Sequence, residues 1–355
     1  MRRSRYIHKG ESNDIEIRPR EICGQGSELP RALSVRLLKK LKARFAGTSS
    51  SAGPALVPTA ATLDRPEGLR HYLIAAQPGA DHGKYALVVV LHGNGASANQ
   101  VMGLAYPPSP LSVFLEIAAR DDLVVIAPDA GKGGWSDCFV PNERAAAKDD
   151  VAFIGALIDH AIHAHRVDPE RVYVIGVSRG GWMTYRLLAE IPHKLAAFAA
   201  VLSGMPPQEH GRLPAAPLPA LFVGCTADPL MPYHGGKRWY VPRWVPTVRG
   251  IEETVRFWRE LAGLPDIAQV AAIPQDDPHA ATRATRVTWG DQPDRMQIVL
   301  YRIEGAGHAE PSRLKRYPGL FDYLPGRQNG DFEVAEAAWE FFREKRSTWA
   351  DATNS

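Results

Sequence analysis

The chain predicts an α/β fold, a mostly parallel central sheet with helices on both faces, and three observations carry that expectation. Short apolar runs, several rich in Val and Ile, recur from about residue 70 onward, which is how strands buried on both faces read. Longer segments with apolar residues at helical spacing separate them, the alternation expected of parallel strands joined by crossover helices. At one junction between a run and a helix stands Gly176-Val177-Ser178-Arg179-Gly180, a pattern that suits a sharp strand-to-helix turn.

Taken in order, residues 1–60 read as a basic extension and residues 61–350 as one catalytic domain. Within the extension, residues 31–45 place Leu33, Leu37, Leu38, Leu41 and Phe45 on one helical face, with Lys39, Lys40, Lys42 and Arg44 elsewhere. A helix packing on the body is favoured over a membrane-surface or partner helix. Residues 47–54, rich in Gly, Ser and Thr, read as a linker. The strand candidates are 86–91, 123–127, 171–177, 198–202, 220–225 and 296–302. Ser109-Pro110 supplies a cap and a first-turn proline for a helix over 111–120. Asp149 and Asp150 stand where carboxylates favour the dipole of a helix over 151–165. A helix over 182–190 follows the Gly-rich turn. In the next one Ile251, Val255, Trp258 and Leu261 share a face, and Gly263 and Pro265 end it. A last helix over 331–346 turns Phe332, Ala335, Trp339 and Phe342 inward. No internal repeat is visible.

Composition narrows the function. Apolar residues make up 45% and charged residues 23%, an ordinary globular balance. Residues 1–50 hold 12 Lys+Arg against 5 Asp+Glu while the whole chain is only +3, so the body is net negative. It has no basic excess for holding nucleic acid, and no nucleic-acid partner is expected. No apolar run approaches the roughly 20 residues that span a bilayer, so no transmembrane segment is expected. The basic start at Met1 leads into polar residues rather than an apolar core, against a secretory signal. Three cysteines (Cys23, Cys138, Cys225) cannot all pair, which favours a reducing, cytoplasmic location, with a Cys138–Cys225 bridge as the less favoured arrangement.

The Gly-x-Ser-x-Gly string reads as a nucleophile elbow, because small glycines let neighbouring backbones approach while the hydroxyl projects above the sheet. A serine hydroxyl needs a histidine to take its proton and a carboxylate to fix the imidazole tautomer. Asp228 follows the run 220–225 and His308 follows the run 296–302, so both belong on loops at carboxyl ends of strands, where open α/β sheets place their sites. The order Ser178, Asp228, His308 is that of the α/β-hydrolase fold. Asp129 and Asp137 are the alternative acids. Among other histidines, His210 breaks the order, His279 has no strand before it and His234 follows Asp228 too closely. His160, His163 and His165 read as surface histidines near a helix end rather than metal ligands. The backbone N–H groups of Arg179 and Asn94 are the oxyanion-hole candidates, and His92 reads as structural. This chemistry needs no cofactor or metal, and none is expected.

These motifs make residues 68–345 resemble the polyhydroxybutyrate depolymerase and feruloyl esterase-like group of α/β-hydrolases. The matching pieces are Leu91-His92-Gly93-Asn94-Gly95, Gly134-Trp135, Asp149-Asp150-Val151-Ala152-Phe153, Arg171-Val172-Tyr173, the elbow from Gly176 to Gly181, Ala227-Asp228-Pro229 with Pro232-Tyr233-His234-Gly235-Gly236, and Gly305-Ala306-Gly307-His308. The resemblance implies a serine esterase acting through an acyl-enzyme. The group often has another glycine at the position of Asn94, Asn or Ala at that of Arg179, and Thr-Trp-Pro where this chain has Ala309-Glu310-Pro311. With no secretion signal or substrate-binding module in view, a small or oligomeric ester is the expected substrate, and the oligomeric state is left open. A prolyl oligopeptidase-like peptidase would need a large extra domain, for which 60 residues are too few. An inactive hydrolase fold serving as a binding protein is the alternative of another class.

Overall fold

The computed structural model describes residues 55–77, 84–139, 148–207, 213–236, 247–275, 277–319, 325–347 and 349. The helix expected over 31–45, the linker over 47–54, Cys23 and His210 lie outside them.

Twelve strands and five main helices alternate along the described chain: β1 (Thr59–Arg65), β2 (Gly68–Ala75), β3 (Tyr85–Leu91), α1 (Phe114–Arg120), β4 (Leu123–Pro128), α2 (Asp150–Ala164), β5 (Val167–Val177), α3 (Arg179–Glu190), β6 (Ala197–Val201), β7 (Ala220–Cys225), β8 (Gly235–Gly236), β9 (Val248–Arg249), α4 (Ile251–Leu261), β10 (Gln269–Ala272), β11 (Arg283–Trp289), β12 (Ile298–Glu304) and α5 (Val334–Phe342). Ten of the strands form one sheet in the order β1-β2-β4-β3-β5-β6-β7-β12-β11-β10. From β4 to β12 the pairings are parallel, and the two strands at each end add antiparallel.

All six expected strands are present with ends shifted by up to four residues, and all lie in the parallel part. Their side chains alternate between two cores. Val88 and Val90 of β3 point to a face covered by α1 and α5, through Phe114, Ile117, Trp339 and Phe342. Leu87, Val89 and Leu91 point to the other, covered by α2, α3 and α4, through Phe153, Leu157, Met183 and Trp258. Helices on both faces are therefore what bury these apolar strands.

The helix starts follow the caps. The Ser109 hydroxyl accepts from Leu111 N at 3.1 Å and opens a 3₁₀ turn, Pro110–Val113, that runs into α1. Asp149 caps α2 by accepting from Ala152 N at 2.9 Å. Asp150, the second carboxylate of that first turn, faces inward. It is fully buried, paired to Arg70 at 2.5 Å and accepting from Ser136 N at 2.6 Å, so it ties α2 to β2 and to the loop after β4. β1 begins at Thr59 and Leu56 N bonds to Leu115 O, so the sheet takes up chain on both sides of residue 60.

Cys138 and Cys225 are free thiols that pack into opposite cores, which excludes the bridge considered from the sequence. Burial pushes both thiols well above their ordinary pKa. Among the described residues no helix is long and apolar enough to cross a membrane.

Lys345, just past α5, is buried with its ammonium donating to Pro293 O and lying 4.7 Å from the Phe341 ring. Burial pushes its pKa down to about 8. An unfolded lysine titrates near ~10.4, so between these values the unfolded chain binds the proton that the folded one releases, and stability rises with pH across that window. Below it the difference is constant. Relative to Lys345→Met, the wild type should gain roughly 2 kcal/mol between about pH 8 and pH 10 in urea unfolding. Parallel pH profiles for the two proteins would contradict this.

Candidate active site

The elbow is built by close backbone approach. Ser178 sits between β5 and α3 at φ 54°, a conformation that non-glycine residues rarely adopt, and its N–H donates to Val201 O of the neighbouring strand at 2.8 Å. A Cβ on Gly176 would stand 2.2 Å from Gly180 O, and one on Gly180 would stand 2.2 Å from Leu91 O. No other residue type fits either position, which is the physical content of the Gly-x-Ser-x-Gly spacing.

Asp228 and His308 leave the same edge of the sheet from β7 and β12, two adjacent parallel strands. Their loops are laced together: Thr226 N donates to Ile303 O, Ala227 N to Ala306 O, and Gly305 N to the Thr226 hydroxyl. His308 Nδ1 meets Asp228 Oδ2 at 2.6 Å, with both side chains largely buried. The other carboxylate oxygen of Asp228 accepts from Leu230 N at 2.7 Å and Met231 N at 2.8 Å. One oxygen is thus held by the chain and the other is presented to the ring. That bond keeps the proton on Nδ1, leaving Nε2 as the nitrogen that carries the lone pair.

Between the strands that launch Ser178 and Asp228 lies only β6, and neighbouring strands are about 5 Å apart. The elbow, Asp228 and His308 therefore share one carboxyl edge. The alternative acids are engaged elsewhere. Asp129 accepts from Gly131 N at 2.7 Å, and Asp137 is buried against the Arg179 guanidinium at 2.5 Å. Burial pushes the Asp137 carboxyl up, and Arg179 opposes that push.

The loop after β3 passes beside the nucleophile, since a Cβ on Gly93 would lie 3.5 Å from the Ser178 Cβ. Asn94 follows directly. Arg179 is the first residue of α3, so its N–H belongs to the amides that a helix leaves without intrahelical partners. His92 is a buried structural residue. Its Nε2 accepts from Ala130 N at 3.1 Å, its Nδ1 donates to Gly93 O at 2.9 Å, and burial pushes its pKa down. Of the remaining histidines, His163 bonds to Asp159 O within α2, while His234 and His279 are exposed on their loops.

Sequence reasoning missed the roles of two side chains here. Glu310, two residues past His308, is a buried carboxylate accepting from Ser109 Oγ at 3.0 Å and Tyr317 Oη at 2.8 Å, which joins the histidine loop to the start of α1. The Tyr317 hydroxyl pKa is pushed up by burial and then by the Glu310 charge. The guanidinium of Arg179 is the other. Glu310 reaches Ser109, 201 residues away, and Arg179 reaches Asp137, 42 residues away, so local spacing carries no trace of these links.

Residues 88–316 match the alpha/beta hydrolase family. The chain belongs to that family. This hydrolase is 31% identical over 291 residues to NocK of Nocardia uniformis subsp. tsuyamanensis, a protein named as an esterase, a match covering 77% of this chain and 78% of the relative. Feruloyl esterase B of Neurospora crassa is 25% identical over 259 residues, covering 64% of this chain and 80% of that protein. Among solved structures, the acetyl xylan esterase from Aspergillus awamori superposes with a TM-score of 0.50 at 15% identity, covering 81% of this hydrolase and 99% of that chain, which speaks to the fold.

Proposed function

We propose that this hydrolase cleaves carboxylic esters of small or oligomeric substrates through an acyl-enzyme on Ser178. The observation that carries the reading is the 2.6 Å bond from His308 to Asp228 at the sheet edge that also bears the strained Ser178. His308 Nε2 takes the proton as Ser178 Oγ attacks the ester carbonyl. The N–H groups of Arg179 and Asn94 hold the resulting oxyanion, worth about 10² to 10³ in rate for each donor. Collapse breaks the bond to the alcohol, which leaves with the proton that His308 returns. Water, deprotonated by the same ring, then attacks the acyl carbon and frees Ser178. The Asp228 carboxylate orients the ring and stabilises the imidazolium that forms at each stage. Esterase names among the relatives support the reaction class.

A panel of nitrophenyl esters with short and long acyl chains, run beside peptide anilides and a fluorophosphonate probe, tests the proposal. Ester turnover with probe labelling is expected. Cleavage of the anilides in preference to esters would make the enzyme a peptidase, and no turnover with no labelling would make it a binding protein.

A further inference from the structure

The Arg179 guanidinium reaches from the first turn of α3 to three acceptors on two other loops. Its Nε donates to Asp137 Oδ2 at 2.5 Å, its Nη2 to Trp135 O at 2.8 Å, and its Nη1 reaches Asn94 Oδ1 at 3.4 Å. The Trp135 indole N–H donates in turn to His92 O at 2.8 Å, and its ring lies against the His92 imidazole. The path from the residue after the nucleophile thus closes through the loop after β4 onto the loop that carries Asn94. A planar guanidinium with donors in a fixed fork is held in one orientation by three such acceptors. Gly134 makes the room, because a Cβ there would stand 2.7 Å from Nη1.

We infer that the side chain of Arg179 is a positioning residue that sets the separation of the two oxyanion donors, a role distinct from that of its own backbone amide. The inference rests on the assignment of Arg179 and Asn94 as those donors. Oxyanion donors act only when already placed about 2.7 to 3.1 Å from where the charge develops. Asn94 stands between two conformationally permissive glycines, Gly93 and Gly95, so an external brace is what fixes its position. The brace ends on a buried carboxylate, Asp137, and so is anchored in the core.

Arg179→Lys, Asn94→Ala and the double variant keep both backbone N–H groups and test the strut with nitrophenyl acetate. Lysine retains a cation beside Asp137 but cannot serve three separated acceptors. Arg179→Lys should lower kcat about 10- to 100-fold with KM little changed, a fraction of the loss for a missing donor. Asn94→Ala should lower it less, and the double variant should be no worse than Arg179→Lys, because the same link is cut. A folded Arg179→Lys enzyme with wild-type kcat, a loss confined to KM, or multiplying effects would each overturn the inference. Should Arg179→Lys not fold, the pair Arg179→Gln with Asp137→Asn removes both charges together and is read the same way. Full turnover in Ser178→Ala would remove the proposed function itself, whereas an inactive Ser178→Ala beside an unimpaired Arg179→Lys removes the strut alone.

Discussion

Ser178→Ala should lower ester turnover by about 10⁶ and abolish labelling by a fluorophosphonate, with the thermal midpoint close to that of the wild type. The size of the loss follows from the division of labour. The oxyanion donors and the bound geometry survive the change, but nothing remains to form the acyl bond, so what is left is water attack in a partly stabilising site. The fold should survive because alanine keeps the Cβ at φ 54°, and the bond that pins the elbow to β6 comes from the backbone N–H of residue 178. Mass spectrometry of the probe-treated variant would decide the matter, since an adduct on any other serine would move the nucleophile.

Asp228→Asn should lower kcat by about 10⁴ while barely changing stability. The reason lies in the oxygen already committed to the chain. Leu230 N and Met231 N both donate to Oδ1, so an asparagine must turn its carbonyl oxygen toward them. Its NH₂ group then faces His308 Nδ1 and forces that nitrogen to accept, which moves the ring proton to Nε2. An imidazole protonated at Nε2 cannot take the proton of Ser178. A rate within tenfold of the wild type would show that another group fixes the ring.

The parallel strands were legible because a strand buried on both faces is written as an unbroken apolar run, as in Tyr85–Leu91, where all seven residues are buried. Within the ten-stranded sheet, the four strands the sequence did not betray, β1, β2, β10 and β11, are the antiparallel ones at its two ends, and the two-residue strands β8 and β9 were missed as well. Gln269–Ala272 is exposed at every position, and Thr59–Arg65 has no fully buried residue, so neither needs an apolar signature. The last parallel strand was placed two residues early, since Met296 and the buried Gln297 lead straight into Ile298–Glu304. The elbow was legible because part of its constraint is local: Gly176 and Gly180, four positions apart, must approach within contact distance. Asp228 and His308 were legible because topology fixes which loops share an edge. Asp150, by contrast, looked like a second helix-end carboxylate, and only its buried pairing with Arg70, 80 residues distant, shows why it turns inward.

Cys138 and Cys225 bear on how the domain meets oxidants and alkylating agents. Each sits in a separate core, on opposite sides of the sheet, and neither readily gives up its proton, so neither offers the thiolate that oxidants, alkylating agents or mixed disulfides attack. Among the described residues no disulfide crosslinks the domain, and both thiols are held in the protonated, poorly nucleophilic form.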